Sequence, residues 1–169
     1  MTLGEPQPKA RTADRLQSIR TGLEADAIAA ALIDNLHCLQ GKLPQHARRN
    51  DWYMALAYTV RDRMMDRYIA TVESIAETNT AAKVIAYLSA EFLTGPHLGN
   101  SLISLGIWQA VEEALTRAGQ DLSELLEQEE EPGLGNGWLG RLAACYMDSL
   151  AALTACTTLP ITTASTSSG

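Results

Sequence analysis

Apolar side chains recur at three- and four-residue steps along much of the chain, and this spacing predicts amphipathic helices. The first helix begins at Glu24 and stops at Gly41, a residue type that favours helix C-termini. After a loop over residues 44–50, a second helix starts near Asp51 and continues for about six turns. The expected core positions of these two helices are Ile28, Ala31, Leu32, Leu36 and Leu39, then Tyr53, Leu56, Val60, Met64, Tyr68, Val72 and Ile75.

The same period returns in the second half of the chain. Residues 107–118 predict an amphipathic helix that Gly119 ends, and Asp121 with Glu124 forms a capping-box pattern at the start of the next one. The acidic run that follows, residues 127–131, is typical of a solvated helix end. A last helix is predicted over residues 141–153, with its apolar face at Leu142, Ala143, Cys145, Tyr146, Leu150 and Leu153.

Residues 84–88 break this helical period. They form a short apolar run with two β-branched members, which predicts a buried strand that delivers Ser89 and Glu91 to the edge of a sheet. Ligands of open α/β sheets sit beyond the carboxyl ends of the strands. The residues alone therefore leave two interpretations of Glu91 open, a surface carboxylate and a residue of a binding site.

Four glycines stand directly before the last predicted helix, at positions 133, 135, 137 and 140. Such a loop lets backbone N–H groups approach an anion at a helix N-terminus, although a flexible turn before a core helix has the same composition. Gly135 to Gly140 also fits G-x-G-x-x-G. A dinucleotide-binding fingerprint requires a preceding strand, and residues 127–132 (Glu-Gln-Glu-Glu-Glu-Pro) cannot form one.

Composition narrows the classes of function. The 169 residues provide length for one ordinary domain, and the net charge of −7 disfavours binding to nucleic acid. No uncharged apolar run is long enough to span a membrane, and the polar start of the chain does not resemble a signal peptide, so we expect a cytoplasmic protein. No metal site is expected because the cysteines and histidines lack ligand-like spacing; they are Cys38, Cys145, Cys156, His37, His46 and His97.

Two segments resemble one enzyme family. Residues 135–145 read Gly-Asn-Gly-Trp-Leu-Gly-Arg-Leu-Ala-Ala-Cys, which is similar to the G-N-G-G-L-G-R-L-A-A-C segment of the α-glucan phosphorylases. Residues 87–95 read Tyr-Leu-Ser-Ala-Glu-Phe-Leu-Thr-Gly, which resembles the Y-L-S-x-E-F-x-x-G segment of the same family. The chain is therefore identified as a member of this family, as an N-terminal fragment of a bacterial-type enzyme.

The resemblance implies an α/β parent enzyme with a two-domain, glycosyltransferase-B-like architecture, of which this fragment is the mainly α-helical part with one or few strands. The family cleaves α-1,4-glucans with inorganic phosphate, uses pyridoxal 5′-phosphate and is expected to act as a homodimer. The resemblance also implies that backbone amides near the phosphates and the glucose come from Asn136, Gly137, Trp138 and Leu139. It implies further that Glu91 borders the active-site crevice. The cofactor lysine and the phosphate-clamping residues belong to the family's C-terminal half, so no catalytic residue is expected here and the isolated chain is expected to be inactive.

Three departures from the family pattern accompany the resemblance. Trp138 replaces a family glycine, which would crowd the crevice and would strain the backbone if the position needs φ > 0. The second helix offers Val72, Glu73 and Ala76 where nucleotide-activated members bind the nucleotide, so we do not expect allosteric activation by AMP. Residues 154–169 are a low-complexity tail in place of the family's Y-G-I-R-Y-E-F-G segment.

We interpret the tail as the result of a frameshift near residue 154 that truncated a phosphorylase reading frame, or of an equivalent error in the sequence. With permitted codons, residues 162–169 read from the third base of the first codon spell Tyr-Gly-Ile-Tyr-Glu-Phe-Gly, close to the missing family segment. The expected organisation is a flexible arm at 1–20, a phosphorylase segment at 21–153 and a non-family tail at 154–169. The alternative interpretation is a non-catalytic helical interaction module derived from the same fold.

Overall fold

The computed structural model describes residues 19–77 and 87–152. Most of these residues are helical, and they contain no strand. The α-helices are α1 (Ala25–Cys38), α2 (Arg49–Glu77), α3 (Leu98–Leu105), α4 (Trp108–Arg117), α5 (Leu122–Leu126) and α6 (Trp138–Ala152), with one 3-10 turn at Pro44–His46. The predicted arm (apart from residues 19 and 20) and the predicted tail lie outside the described residues.

The chain divides into two compact units. The first contains the described residues up to Asp66 together with Leu98–Glu129, and the second contains the described parts of Arg67–His97 and of the chain from Glu130 onward. A single hydrophobic cluster fills the first unit. Its buried members are Ile28, Leu32, Leu36, Trp52, Ala55, Leu56, Val60, Leu98, Leu102, Leu105, Ile107, Val111, Ala114, Leu115, Leu122 and Leu125.

The helical period predicted α1, α2, α4 and α5 because each has an apolar stripe that faces this cluster. Gly41 and Gly119 adopt φ values of 60° and 72° just after α1 and α4, which explains why glycine ends these helices. Two expected core positions are wrong: Leu39 lies past the end of α1 and is exposed, and Val72 is exposed on α2.

The buried side of α2 also contains four residues that the period did not predict, Trp52, Ala55, Thr59 and Arg63. Trp52 is only 2% exposed in the cluster, and Arg63 is equally buried. The Arg63 guanidinium donates from Nε and Nη2 to the Gly22 carbonyl, at 2.9 and 2.6 Å, and from Nη1 to the Thr59 carbonyl at 2.8 Å. Burial lowers the pKa of Arg63, and the three donated hydrogen bonds offset part of the loss of hydration.

Polar side chains cap two helices of the first unit. The Asp121 carboxylate accepts a hydrogen bond from the Glu124 amide at 3.0 Å, as the capping pattern predicted. Both carboxylate oxygens of Glu129 accept from the Leu98 amide, at 3.1 and 2.9 Å, at the start of α3. The acidic run is therefore not merely a solvated helix end, because one of its members satisfies a donor at another helix N-terminus.

The structure describes only the last two residues of the predicted strand, which belong to the second unit. Residues 84–86 lie outside the described residues, while Tyr87 and Leu88 are irregular and exposed, Leu88 to 93%. No strand forms at 87–88 or over the following residues, and the amides of Phe92 and Leu93 bond to the carbonyls of Leu134 and Gly140 in the glycine segment. A strand requires a neighbouring strand with which to pair, and the described residues provide none.

Helix α6 forms as predicted, but most of its predicted apolar face is not buried. Ala143 and Ala144 are buried, while Leu142, Cys145 and Tyr146 are exposed, as are Trp138 and Leu139 in its first turn. No helix within 19–77 or 87–152 combines the length and the apolar character that crossing a membrane requires.

Candidate functional site: the glycine loop and Glu91

The glycine loop leads directly into α6. The Gly137 carbonyl accepts a hydrogen bond from the Arg141 amide at 3.2 Å, which makes Gly137 the residue that precedes the first helical turn. The first amides of a helix have no intrahelical partner and carry the positive end of its dipole. The amides of Trp138, Leu139 and Gly140 therefore provide donors at this end of α6, which is the geometry that an anion cradle requires.

Glu91 lies against three of the loop glycines. A Cβ atom built on Gly135 would lie 2.7 Å from the Glu91 Cγ, and one built on Gly140 would lie 3.1 Å from the Glu91 Cβ. A Cβ atom on Gly137 would overlap the Glu91 Oε2. The side chain therefore runs along the loop with its carboxylate at Gly137, where the helix dipole favours negative charge.

Backbone hydrogen bonds join the segment around Glu91 to both ends of the loop. The Phe92 amide donates to the Leu134 carbonyl at 2.9 Å, and the Leu93 amide donates to the Gly140 carbonyl at 3.0 Å. The Ser89 hydroxyl donates to the Glu91 carbonyl at 2.7 Å and accepts from the Glu91 amide at 3.3 Å. The structure thus brings Glu91 together with the loop predicted from sequence. The two hydrogen bonds of the Ser89 hydroxyl stabilise the turn at residues 89–91.

Aromatic packing supports the same segment from α6. The Tyr87 ring lies edge-on to Phe92, with centroids 6.4 Å apart, and its centroid is 5.8 Å from that of Tyr146 on α6. Such pairs add about 0.5–1.5 kcal/mol beyond the area they bury. Tyr87, predicted as a strand residue, thus acts as an aromatic link between the Glu91 segment and α6.

Trp138 does not carry the backbone strain that its replacement of a glycine suggested. It is the first residue of α6, and no described residue other than glycine has a positive φ. Its side chain is 87% exposed, so the indole extends away from the chain and does not fill the space occupied by Glu91. The expected strain is therefore wrong for this chain, while the bulk of the indole beside the loop remains.

The remaining candidate groups show no chemistry within the described parts of the chain. Cys38 and Cys145 are exposed free thiols, and no cluster of histidine, cysteine or acidic side chains there could hold a metal ion. The Cys38 thiol donates to the Asp34 carboxylate at 3.5 Å, and this hydrogen bond, with the charge of Asp34, raises the thiol pKa. A raised pKa keeps the thiol protonated and lowers its reactivity.

Comparison with known proteins identifies the origin of this arrangement. Residues 115–159, which include the loop and α6, match the family model described as carbohydrate phosphorylase. The chain is 55% identical over 139 residues to the glycogen phosphorylase of Synechocystis sp., which covers 82% of this chain. It is also 41% identical over 134 residues to the Haemophilus influenzae glycogen phosphorylase (79% of this chain) and 48% identical over 119 residues to the brain form from Bos taurus (70%).

The matches extend over most of the chain but over a small part of each relative. The chain spans 16% of the length of the Synechocystis and Haemophilus proteins and 14% of the bovine one. The segment that matches the family model includes the glycine loop. The chain belongs to the carbohydrate phosphorylase family.

Proposed function

We propose that this chain is the N-terminal part of an α-1,4-glucan phosphorylase that converts glycogen or maltodextrin and inorganic phosphate to glucose 1-phosphate. The observation that carries the proposal is the glycine loop at the N-terminus of α6, with Glu91 packed on it. Relatives named glycogen phosphorylase, at up to 55% identity, support the same assignment.

The loop would stabilise negative charge without adding a titrating group. Phosphorolysis brings a phosphate dianion against a sugar that develops positive charge, and backbone amides fixed at a helix N-terminus can hold the phosphate in place. In this proposal Asn136, Gly137, Trp138 and Leu139 form the phosphate-binding loop. Glu91 borders the crevice beside it.

The described residues do not fit the pyridoxal phosphate of the family. Lys42 is their only lysine, and it is exposed in the segment between α1 and the 3-10 turn. Lysines that form a Schiff base are activated by desolvation or by a neighbouring cation. Because the family's cofactor lysine belongs to its C-terminal half, the proposal assigns the cofactor to parts of the full-length enzyme outside this chain, and no step is assigned to it here.

The proposal places the full-length enzyme in the cytoplasm as a homodimer with no membrane or nucleic-acid partner. The free thiols of Cys38 and Cys145 are compatible with a reducing compartment. The net charge of −7 disfavours binding to nucleic acid, because the negatively charged phosphate backbone would be repelled.

A second candidate is a non-catalytic interaction module, favoured by the exposed apolar side chains of α6. Trp138, Leu139, Leu142 and Tyr146 are all exposed. In a full-length phosphorylase the remaining sequence would cover this face, whereas a module would use it to bind a partner. The two candidates differ in whether the chain can support phosphorolysis inside a complete enzyme.

The isolated chain of 169 residues should catalyse no phosphorolysis of maltodextrin and should form no stoichiometric pyridoxal adduct. The reason is that the family's Schiff-base lysine belongs to its C-terminal half, and Lys42, the lysine among the described residues, is exposed. Borohydride reduction in the presence of pyridoxal phosphate, followed by mass spectrometry, measures the adduct. A single, fully occupied lysine would contradict this expectation.

A segment chimera tests the proposed function. It consists of the Synechocystis glycogen phosphorylase with its matching segment replaced by residues 20–152 of this chain. We expect the chimera to release glucose 1-phosphate from maltodextrin at a rate within about tenfold of the parent, because a conserved backbone path keeps the reacting groups in position. A folded chimera without activity would support the interaction module and refute the proposal.

Replacing Trp138 in the segment chimera should raise kcat. The indole adds bulk beside the loop, and a displaced phosphate lowers the rate, so we expect roughly a tenfold gain for Trp138→Gly. Trp138→Ala is the control for backbone flexibility, because it removes the same bulk without introducing glycine. Equal kcat values for Trp, Ala and Gly would mean that the indole stays clear of the phosphate path, as its 87% exposure in this chain allows.

A further inference from the structure

Three glycines of the loop meet the same side chain, and only one of them needs glycine for its backbone conformation. Gly135 has a φ of 96°, which disfavours any other residue. Gly137 and Gly140 are not among the residues with positive φ, so conformational freedom does not explain them. What they share is the close approach of Glu91: a Cβ atom on Gly137 would require the Glu91 carboxyl group to move, and one on Gly140 would lie 3.1 Å from both the Glu91 Cβ and the Leu93 backbone nitrogen.

Gly133 provides the internal comparison. It belongs to the same glycine-rich stretch, but nothing lies within 4 Å of the position that its Cβ would occupy, and its φ is not positive. The need for glycine is therefore not a general property of the stretch. It is found at the residues that Glu91 approaches, and at Gly140 the Leu93 backbone nitrogen adds to the crowding.

We propose that Glu91 is a positioning residue for the glycine loop: its side chain sets the path of residues 135–140 and thereby the placement of the first amides of α6. The two backbone hydrogen bonds at Phe92 and Leu93 fix the base of the glutamate relative to both ends of the loop. Ser89 fixes the turn that aims the side chain along the loop. The consequence for phosphate binding rests on the proposed function.

The shape of the side chain matters more than its charge in this arrangement. The contacts with Gly135 and Gly140 involve the Cα, Cβ and Cγ atoms of Glu91, and only the contact with Gly137 involves the carboxyl group. Glutamine has the same heavy-atom shape and should keep the loop in place. Alanine keeps the Cα and Cβ contacts but removes the Cγ atom at Gly135 and the carboxyl group at Gly137, and should loosen the loop.

A double-mutant cycle in the full chain tests this positioning, with amide hydrogen exchange over residues 138–145 as the readout. Gly137→Ala alone should speed exchange severalfold, since its Cβ would displace the Glu91 carboxylate from the loop. In a Glu91→Ala background the same change should add less than about twofold, because the collision is gone. Gly133→Ala is the matched control and should leave the exchange rates unchanged, while Glu91→Gln should resemble the wild type.

The segment chimera gives the catalytic readout. Relative to Glu91→Gln, which removes the same charge, Glu91→Ala should raise the KM for phosphate roughly tenfold because the amides lose their placement. Additive exchange effects, or equal effects of Gly133→Ala and Gly137→Ala, would overturn the positioning role. Coupled exchange with an unchanged KM for phosphate would instead overturn the proposed phosphate role of the loop and leave the positioning intact.

Discussion

Trp52→Ala is expected to lower the free energy of unfolding of the first unit by about 3–5 kcal/mol, the largest stability loss that we predict for a single substitution. Trp52 is 2% exposed and belongs to the cluster formed by α1, α2, α3, α4 and α5. Alanine would leave a cavity that the surrounding helices can close only in part. Loss of this size is comparable to the whole stability of many small domains.

Urea unfolding followed by far-ultraviolet circular dichroism measures this loss without relying on tryptophan fluorescence. Trp138→Ala is the matched control, because the same substitution is made at a side chain that is 87% exposed. It should change the unfolding free energy by no more than about 0.5 kcal/mol. Similar losses for the two variants would show that Trp52 is not packed as described.

The sequence predicted most helices because their apolar period and their end signals are local. Gly41, Gly119 and Asp121 act at or next to the helix ends where they stand, so a short window contains the whole signal. The period did not predict Arg63 in the core, because its burial depends on carbonyls of Gly22 and Thr59 that only the fold brings together.

The second unit was harder to predict. The apolar run at 84–88 has strand composition, yet the residues of it that the structure describes form no strand, since composition does not supply a pairing partner. The apolar residues predicted for α6 do lie on a helix, but most of them are not buried. Period specifies which side chains share a face, and it does not specify what covers that face.

The sequence indicated both parts of the candidate site, the glycine loop and Glu91, but it did not predict that they are in contact. The glycine loop and Glu91 each stood out, the loop by its spacing and the glutamate through the family resemblance. Their contact joins segments that are far apart in the chain, and no local pattern encodes it. The one available signal was that Gly137 and Gly140 flank a helix start, where glycine is otherwise a poor helix former.

Asn136→Asp in the segment chimera is expected to raise the KM for phosphate at least tenfold. If the loop binds phosphate, the new carboxylate repels it, and two unit charges about 6 Å apart interact by about 3 kcal/mol at an effective dielectric constant of 20. Screening by salt reduces this energy, and a remaining loss of about 1.4 kcal/mol already corresponds to a factor of ten. The substitution keeps the shape of the side chain, and Asn136 is exposed, so folding should not change.

The ratio of the KM values for phosphate in the Asn136→Asp and Asn100→Asp chimeras tests the central claim most directly. Asn100 is also exposed but lies on α3, away from the loop in sequence, and the two variants have the same net charge. Our account predicts a ratio of at least about ten, declining as salt is added, with the KM for maltodextrin nearly equal in the two variants. A ratio near one would show that residues 135–140 do not bind the phosphate.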